Sequence, residues 1–187
     1  LAPKTVNSIL SVLKLVFGYA SREKGLPVAD IKDISVKQPQ KALRVLSRNE
    51  QGRLNDYLCA NPTPCHLGIL LSLYLGLRIG EVCALRGEDI RIDEKYLYVH
   101  QTMQRIQTGD ANERKTQIVI QPPKSDCSVR KIPIPTELLQ MLSPARRQDE
   151  AFLLTGSEKY FIEPRSMENQ FKTVVQKCNI RDVNYHA

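Results

Sequence analysis

The sequence predicts an α+β fold in which helices flank a small antiparallel β-meander. Two observations support this fold class. Apolar residues recur at three- and four-residue steps near the N-terminus, alternate with polar residues between positions 90 and 134, and return to helical spacing after position 136. The chain has 187 residues, of which 42% are hydrophobic and 25% charged, so it can bury a core and is not expected to be disordered.

The first predicted helix runs from Pro3 to Lys24 and is amphipathic. Pro3 suits a first helical turn, and Gly25 predicts the end of the helix. Because one helix cannot bury its own apolar face, we expect residues 1–26 to be the end of a small helical domain. Residues 27–46 combine prolines with basic residues, which predicts a basic linker.

Residues 47–187 are predicted to form a second, larger domain. Ser47 and Glu50 match a capping box at the start of a helix. We expect its strands to form a meander, with one long connection from Gln104 to Thr116. The periodicity, prolines and glycines predict helices over 47–60, 65–75, 79–85, 136–142 and 165–177, and strands near 90–92, 96–99, 118–120 and 129–134.

The positive charge is concentrated in two segments. The net charge is +7, and residues 1–45 carry eight bases against three acids, while residues 102–135 carry six against three. Such segments favour a polyanionic partner, although a basic surface can also serve solubility alone. Nucleic acid is favoured over a membrane, because neither segment has a Trp- or Phe-rich face and no apolar run approaches the ~20 residues of a membrane span.

The cysteines and histidines indicate neither disulfides nor a metal centre. The five cysteines are an odd number without a CxxC pair, and the three histidines lack the i, i+4 spacing of a helical metal site. The sequence therefore predicts no metal and no other cofactor. A reducing cytoplasm is the expected location.

The sequence GLRIGE at 76–81 places an arginine in the turn between two predicted helices. The Arg78 guanidinium, held between apolar neighbours, could bind an oxyanion through two parallel hydrogen bonds. An ion pair with Glu81, or a plain surface arginine, would explain the same residues.

The sequence PPKSDCSVRKIPIP at 122–135 predicts a tight turn that leads into a strand. Lys124 lies at the tip of this turn, from which its ammonium group could donate a proton in a neighbouring site. A solvated lysine is the simpler interpretation, since turns are where lysines usually lie.

These two motifs, followed after a further helix by Asn-Tyr-His at 184–186, occur in an order that resembles the tyrosine recombinases, the phage-integrase family. The closest likeness is to the integrases of conjugative transposons, and it extends from about Thr5 to Ala187. The resemblance implies a tyrosine-recombinase catalytic domain over 47–187. It also implies that 1–26 is the end of the DNA-clamping, core-binding domain.

The resemblance implies a role for each motif residue. Arg78 matches the first catalytic arginine, Lys124 the catalytic lysine, and His186 the histidine that opens the His-x-x-Arg box. Glu81 matches the acidic residue that supports the arginine turn. The implied partner is double-stranded DNA at attachment or transposon-end sites, bound by a homo-tetramer, with an accessory DNA-bending factor as a further possible partner and no membrane. The expected DNA contacts are Lys4, Lys14, Arg22, Lys37, Lys41, Arg44, Arg105, Arg114 and Lys115.

The sequence departs from the family pattern after His186, where only Ala187 follows. The second arginine and the tyrosine nucleophile of the family belong further C-terminal, and Tyr185 lies inside the box rather than beyond it. We therefore expect this chain to be a piece of a longer polypeptide and, by itself, not to cut DNA.

Two other functions are compatible with parts of the sequence. Residues 65–87 resemble a helix-turn-helix with Gly76 at the bend, which would suit a non-catalytic DNA-binding regulator. A metal-dependent nuclease would need carboxylates clustered at strand ends, and the sequence offers no such cluster.

Overall fold

The computed structural model describes residues 1–39, 44–108, 116–142, 148–181 and 183–186. The chain divides into two compact units, Leu1–Leu43 and Arg44–Ala187. Their boundary falls inside the predicted 27–46 linker. Within the described ranges, no helix combines the length and the hydrophobicity needed to cross a bilayer.

The first unit is built on helix α1, Pro3–Lys24, which has the predicted bounds. It ends at Gly25, whose φ of 60° is the left-handed conformation that glycine adopts without strain. The Asn7 side chain accepts a hydrogen bond from the Val36 amide and donates one to the Val36 carbonyl, both at 2.8 Å. None of the α1 side chains is buried, so its apolar stripe is at least partly exposed.

The second unit has five α-helices close to the predicted positions. The capping box is confirmed, because Ser47 Oγ accepts from the Glu50 amide and the Glu50 carboxylate accepts from the Ser47 amide. The helices are α2 Arg48–Ala60, α3 Pro64–Leu75, α4 Ile79–Ala84, α5 Thr136–Leu142 and α6 Pro164–Lys177, with short 3-10 segments at Gly87–Asp89 and Asp126–Ser128.

The strands confirm the α+β class, but their arrangement differs from the predicted meander. The strands are β1 Ile90–Arg91, β2 Tyr96–Val99, β3 Thr102–Gln107, β4 Thr116–Gln121 and β5 Arg130–Pro133. One antiparallel sheet has the order β1-β2-β5, and β3 and β4 form a separate antiparallel ribbon. The pairing of Leu97 with Ile132 directs the apolar residues of β2 and β5 to one face.

Strand β3 was not predicted, because its sequence lacks the alternation of a half-buried strand. Met103 is its one buried residue, and Ile106 is exposed. The predicted connection from Gln104 onward is wrong as far as Gln107, since this segment pairs residue by residue with β4. Hydrogen bonding to β4 rather than burial defines this strand.

The core of the second unit surrounds helix α3, which is apolar on most of its faces. Leu70 and Leu71 are at most 1% exposed and pack with residues from the helices and from the three-stranded sheet. Helix α4 lies directly on β3 at Gly80, where a Cβ atom would be 2.7 Å from the Met103 carbonyl oxygen and 2.6 Å from Thr102 Oγ1. The missing side chain therefore permits this close contact between α4 and β3.

Candidate active site

The turn between α3 and α4 presents Arg78 to solvent. Helix α3 ends at Gly76 in the left-handed conformation, with φ 63°, and Leu77 is inserted into the core with 2% exposure. Arg78 then has an extended backbone and directly precedes α4. The Arg78 backbone is anchored on one side by Leu77 and on the other by α4. Its side chain is 65% exposed, so the guanidinium reaches into solvent.

Glu81 binds both the backbone and the side chain of Arg78. Its carboxylate is 2% exposed and accepts from the Arg78 amide and from Arg78 Nη1, both at 2.9 Å. The predicted supporting contact between these two residues is thus present. Within the described part of the chain, the Arg78 guanidinium has no second hydrogen-bond partner, so its other N–H groups are available to a ligand.

A second arginine binds the same carboxylate. Arg130, the first residue of β5, donates from Nη1 to Glu81 Oε1 at 3.0 Å and from Nη2 to Glu81 Oε2 at 2.9 Å. Burial alone would raise the pKa of Glu81, but the hydrogen bonds from Arg130 and Arg78 outweigh it and hold the pKa below its usual value. The carboxylate is therefore ionised at neutral pH, and the Glu81 contact raises the pKa of Arg130.

Arg130 was not predicted as a site residue, although it lies within the lysine motif. A signal was present in the sequence, because Arg130 alternates with Ile132 and Ile134 and therefore lies on the same strand face as these apolar residues. In the structure Arg130 and Ile132 are half-buried, whereas Lys131 and Pro133 are exposed. An arginine on the inward face of a strand requires an acidic partner.

Lys124 lies exposed in the loop between β4 and β5, residues 122–129, which we call the lysine loop. The loop is closed by a hydrogen bond from the Ser128 amide to the Ser125 carbonyl oxygen, at 2.9 Å. Arg130 joins the end of this loop to the Arg78 turn through Glu81. Among the described residues, no contact joins the Lys124 side chain itself to Arg78.

His186 lies at a cavity next to the Arg78 turn. The cavity has a volume of about 350 Å³, and its lining includes Gly76, Leu77, Tyr185 and His186. His186 is exposed and its ring lies 5.3 Å from that of Tyr185. The fold thus brings His186 and the residues that directly precede Arg78 to one cavity.

Tyr185 has the environment of a structural residue. Its hydroxyl lies 2.8 Å from Ser72 Oγ, and its ring packs edge-on against Phe171. Burial raises the pKa of this phenol well above its ordinary value. These contacts hold the Tyr185 side chain against the core of the second unit.

The predicted DNA contacts have different surroundings. Lys4 and Lys37 are exposed, whereas Lys14 Nζ donates to the Lys32 carbonyl oxygen at 2.6 Å and Arg22 Nε to the Gly18 carbonyl oxygen at 3.2 Å. Two others are ion-paired within the second unit, Arg44 with Glu50 and Arg105 with Glu163. Lys41, Arg114 and Lys115 lie outside the described residues.

Helix α4 does not suit the role of a DNA-recognition helix. Five of its six residues are buried, including Glu81, and it therefore offers almost no surface to a major groove. In the described parts of the chain, no three His, Cys, Asp or Glu side chains are grouped so that they could hold a metal ion.

Comparisons with known proteins relate the whole chain to one group of enzymes. The chain is 30% identical over 208 aligned positions to a XerC-like tyrosine recombinase of Caldanaerobacter subterraneus subsp. tengcongensis, and the match covers 98% of this chain. The chain spans 53% of the length of that curated relative. No family model matches the sequence.

Solved structures have the same fold. A Tn1549 transposon integrase in complex with a circular intermediate DNA superposes with a TM-score of 0.75 and 18% identity, covering all of this chain and 64% of that one. A lambda integrase tetramer bound to a Holliday junction gives a TM-score of 0.66 and 16% identity, covering 98% of this chain and 51% of that one. The sequence match relates the chain to the tyrosine recombinase family, and the solved structures show that it has the fold of these enzymes.

Proposed function

We propose that the protein carries out site-specific DNA recombination, integrating or excising a mobile element by metal-free cleavage and rejoining of DNA. The observation that carries this proposal is the exposed Arg78 guanidinium, fixed by the buried Glu81 and joined through Arg130 to the lysine loop. The 30% identity to a XerC-like tyrosine recombinase supports the same reaction class.

The proposed reaction begins when a tyrosine oxygen attacks a backbone phosphorus and the 5′ oxygen of the next nucleotide leaves. Negative charge then accumulates on the non-bridging phosphate oxygens, and the Arg78 guanidinium stabilises it. Lys124 gives a proton to the departing 5′ oxygen, which is a poor leaving group at neutral pH. His186 orients a phosphate oxygen or accepts the proton of the nucleophile.

The product of this step is a 3′-phosphotyrosine and a free 5′-hydroxyl. Attack by a 5′-hydroxyl of another strand reverses the step and releases the tyrosine, so the energy of the original bond is kept and no ATP is required. The nucleophile in this proposal is the tyrosine that the family places beyond its His-x-x-Arg box, not Tyr185. The whole protein is therefore required to test cleavage.

The proposed partner is double-stranded DNA at transposon-end or attachment sites. The two solved structures described above are complexes with DNA, and one of them is a tetramer bound to a Holliday junction. We extend both properties to this protein as a homo-tetramer in the synaptic complex, with an accessory DNA-bending factor as a further partner. All five cysteines are free thiols, which suits the proposed cytoplasmic location.

The proposed division of labour follows the two units. Residues 1–26 are the end of a DNA-clamping domain, 27–46 a basic linker, and 47–187 the catalytic domain. In this proposal the predicted basic residues bind phosphates and position the protein without reading bases. Those on α1 and the linker are Lys4, Lys14, Arg22, Lys37, Lys41 and Arg44, and the others are Arg105, Arg114 and Lys115.

A nicked duplex that carries the recombination site tests the proposal. The nick lets the short strand diffuse away after cleavage, so the covalent protein–DNA adduct accumulates and is measured on a denaturing gel. We expect an adduct with the whole protein, in EDTA as well as in magnesium. Arg78→Ala should reduce the rate by about 10²–10³-fold, and Lys124→Ala by ~10²–10⁴-fold.

The matched control is Lys159→Ala, because Lys159 is an exposed lysine outside the proposed site. It should form the adduct at the wild-type rate. Failure of the wild-type protein to form any adduct, or a strict requirement for a divalent ion, would contradict the proposed chemistry.

A further inference from the structure

We propose that Arg130 is a positioning residue that neutralises the buried Glu81 carboxylate, leaves the charge of Arg78 available to a DNA phosphate, and fixes the end of the lysine loop beside it. This inference rests on the proposed function, since it assumes that Arg78 binds phosphate. It adds a residue to which the family resemblance assigned no role.

The hydrogen bonds of Glu81 are the first support. Oε1 accepts from Arg78 Nη1 and Arg130 Nη1, and Oε2 accepts from the Arg78 amide and Arg130 Nη2, all between 2.9 and 3.0 Å. An ionised carboxylate has about four acceptor sites, so this one is saturated. Both guanidinium nitrogens of the Arg130 fork are used, in the bidentate geometry that lysine cannot reproduce.

The charges of the cluster formed by Arg78, Glu81 and Arg130 are the second support. Two guanidinium groups share one carboxylate, so the three side chains of Arg78, Glu81 and Arg130 carry a net charge of +1. The Arg130 side chain is 29% exposed and the Arg78 side chain 65% exposed, so the surplus charge is presented at Arg78. Without Arg130, Glu81 would neutralise the same arginine that it supports.

The position of Arg130 in the chain is the third support. Its Nη1 also donates to the Ser128 carbonyl oxygen at 3.0 Å, and its backbone pairs with Val99 of β2. The side chain therefore clamps the C-terminal end of the lysine loop while the strand begins. One residue thus limits the movement of both proposed catalytic cations, Arg78 directly through Glu81 and Lys124 through the loop.

The test is the salt dependence of duplex binding by the whole protein. The log–log slope changes by about 0.9 for each B-DNA phosphate that the protein no longer neutralises. The cluster charge is +1 in the wild type, 0 in Arg130→Met, +1 in Arg130→Met/Glu81→Gln, and +2 in Glu81→Gln. We expect Arg130→Met to flatten the slope by about one and the double variant to restore it. Glu81→Gln should leave the slope at least as steep as in the wild type.

The same variants are compared in adduct formation on the nicked duplex. Arg130→Met should slow the reaction by at least about tenfold, and the double variant should recover part of that rate. The melting temperature of each variant identifies any decrease in folded protein. If Arg130→Met is unfolded, Arg130→Lys keeps the charge but cannot form the bidentate pair, so it should keep the slope and slow the reaction.

Equal flattening in Arg130→Met and in the double variant would overturn the inference, because Arg130 would then contact DNA itself. An unchanged slope in folded Arg130→Met would also overturn it, provided that Arg78→Ala flattens the slope. If Arg78→Ala has no effect on the slope, both the phosphate role and the inference fail. If the slopes follow the charges but no adduct forms, the inference holds and the proposed cleavage reaction fails.

Discussion

Glu81 combines structural and electrostatic roles, because it is buried, ionised and shared by two arginines. A carboxylate in this position stabilises the fold only while it is charged. Its pKa is lowered in the folded protein, whereas the pKa of an unfolded glutamate is about 4.3. The stabilisation is therefore complete above that pH and disappears as the pH falls through the lower, folded pKa.

Glu81→Gln should destabilise the protein at pH 7 by about 2 kcal/mol, because charged hydrogen bonds to both arginines are weakened. The difference from the wild type should begin to shrink as the pH falls below the unfolded pKa of about 4.3, and it should be smallest below the lower pKa of the folded carboxylate. Urea denaturation at several pH values measures both effects. Glu168→Gln is the control, since Glu168 pairs with Arg165 and Lys172 on the surface and should change stability by less than about 0.5 kcal/mol. A destabilisation that is the same at every pH would argue against an ionised Glu81.

The contacts of the arginine turn could be predicted from the sequence only in part. Arg78 and Glu81 stand three positions apart, so a local contact between them could be predicted. Arg130 is 49 residues from Glu81, and their contact depends on how β5 is placed against α4. Local spacing carries no information about that pairing. Only the inward position of Arg130 on its strand indicated that it required a partner.

Helix α4, which directly follows the arginine turn, lies in close contact with strand β3. Gly80→Ala should destabilise the second unit by about 1–3 kcal/mol, because the new methyl group would overlap the Met103 carbonyl oxygen and Thr102 Oγ1. Gly52→Ala is the control within α2, where a Cβ atom has no neighbour within 4 Å. It should stabilise the protein by about 0.5–1 kcal/mol. Urea denaturation of both variants measures the difference, and similar effects would show that the close approach is not important.

The secondary-structure elements differed in how well the sequence predicted them. The five helices of the second unit were predicted within a few residues, because capping residues, prolines and the helical period all agree at their ends. The ribbon of β3 and β4 was predicted only in part. Its side chains are mostly half-buried or exposed, so the apolar alternation that marks a strand is absent from β3. The order β1-β2-β5 likewise follows from long-range pairing that local patterns do not contain.

The positive charge of the chain is divided unevenly between basic segments and stretches of balanced charge. The surplus positive charge in residues 1–45 lies outside most of the α+β unit, which begins at Arg44. The ion pairs of Arg44 and Arg105 show that a basic residue in such a segment can have a partner within its own unit. Charge patterning therefore predicted a polyanionic partner, but not which cations remain available to bind it.

The exposed cations should determine how strongly DNA binding depends on the salt concentration. Lys4 and Lys37 are exposed, and the described residues provide no ion-pair partner for either of them. Lys4→Gln/Lys37→Gln should therefore flatten the log–log salt dependence of duplex binding by about two, since each phosphate contact contributes about 0.9. Fluorescence anisotropy with a labelled duplex at a series of salt concentrations measures this slope.

The control for this measurement removes the same amount of charge from helix α6. Arg165→Gln/Lys172→Gln replaces two cations that are paired with Glu168, and it should leave the slope unchanged. A flattened slope in the first variant alone would place Lys4 and Lys37 at the DNA backbone, and equal flattening in both would indicate a response to net charge. An unchanged slope in the Lys4→Gln/Lys37→Gln protein would remove these two lysines from the interface and leave DNA binding to the second unit.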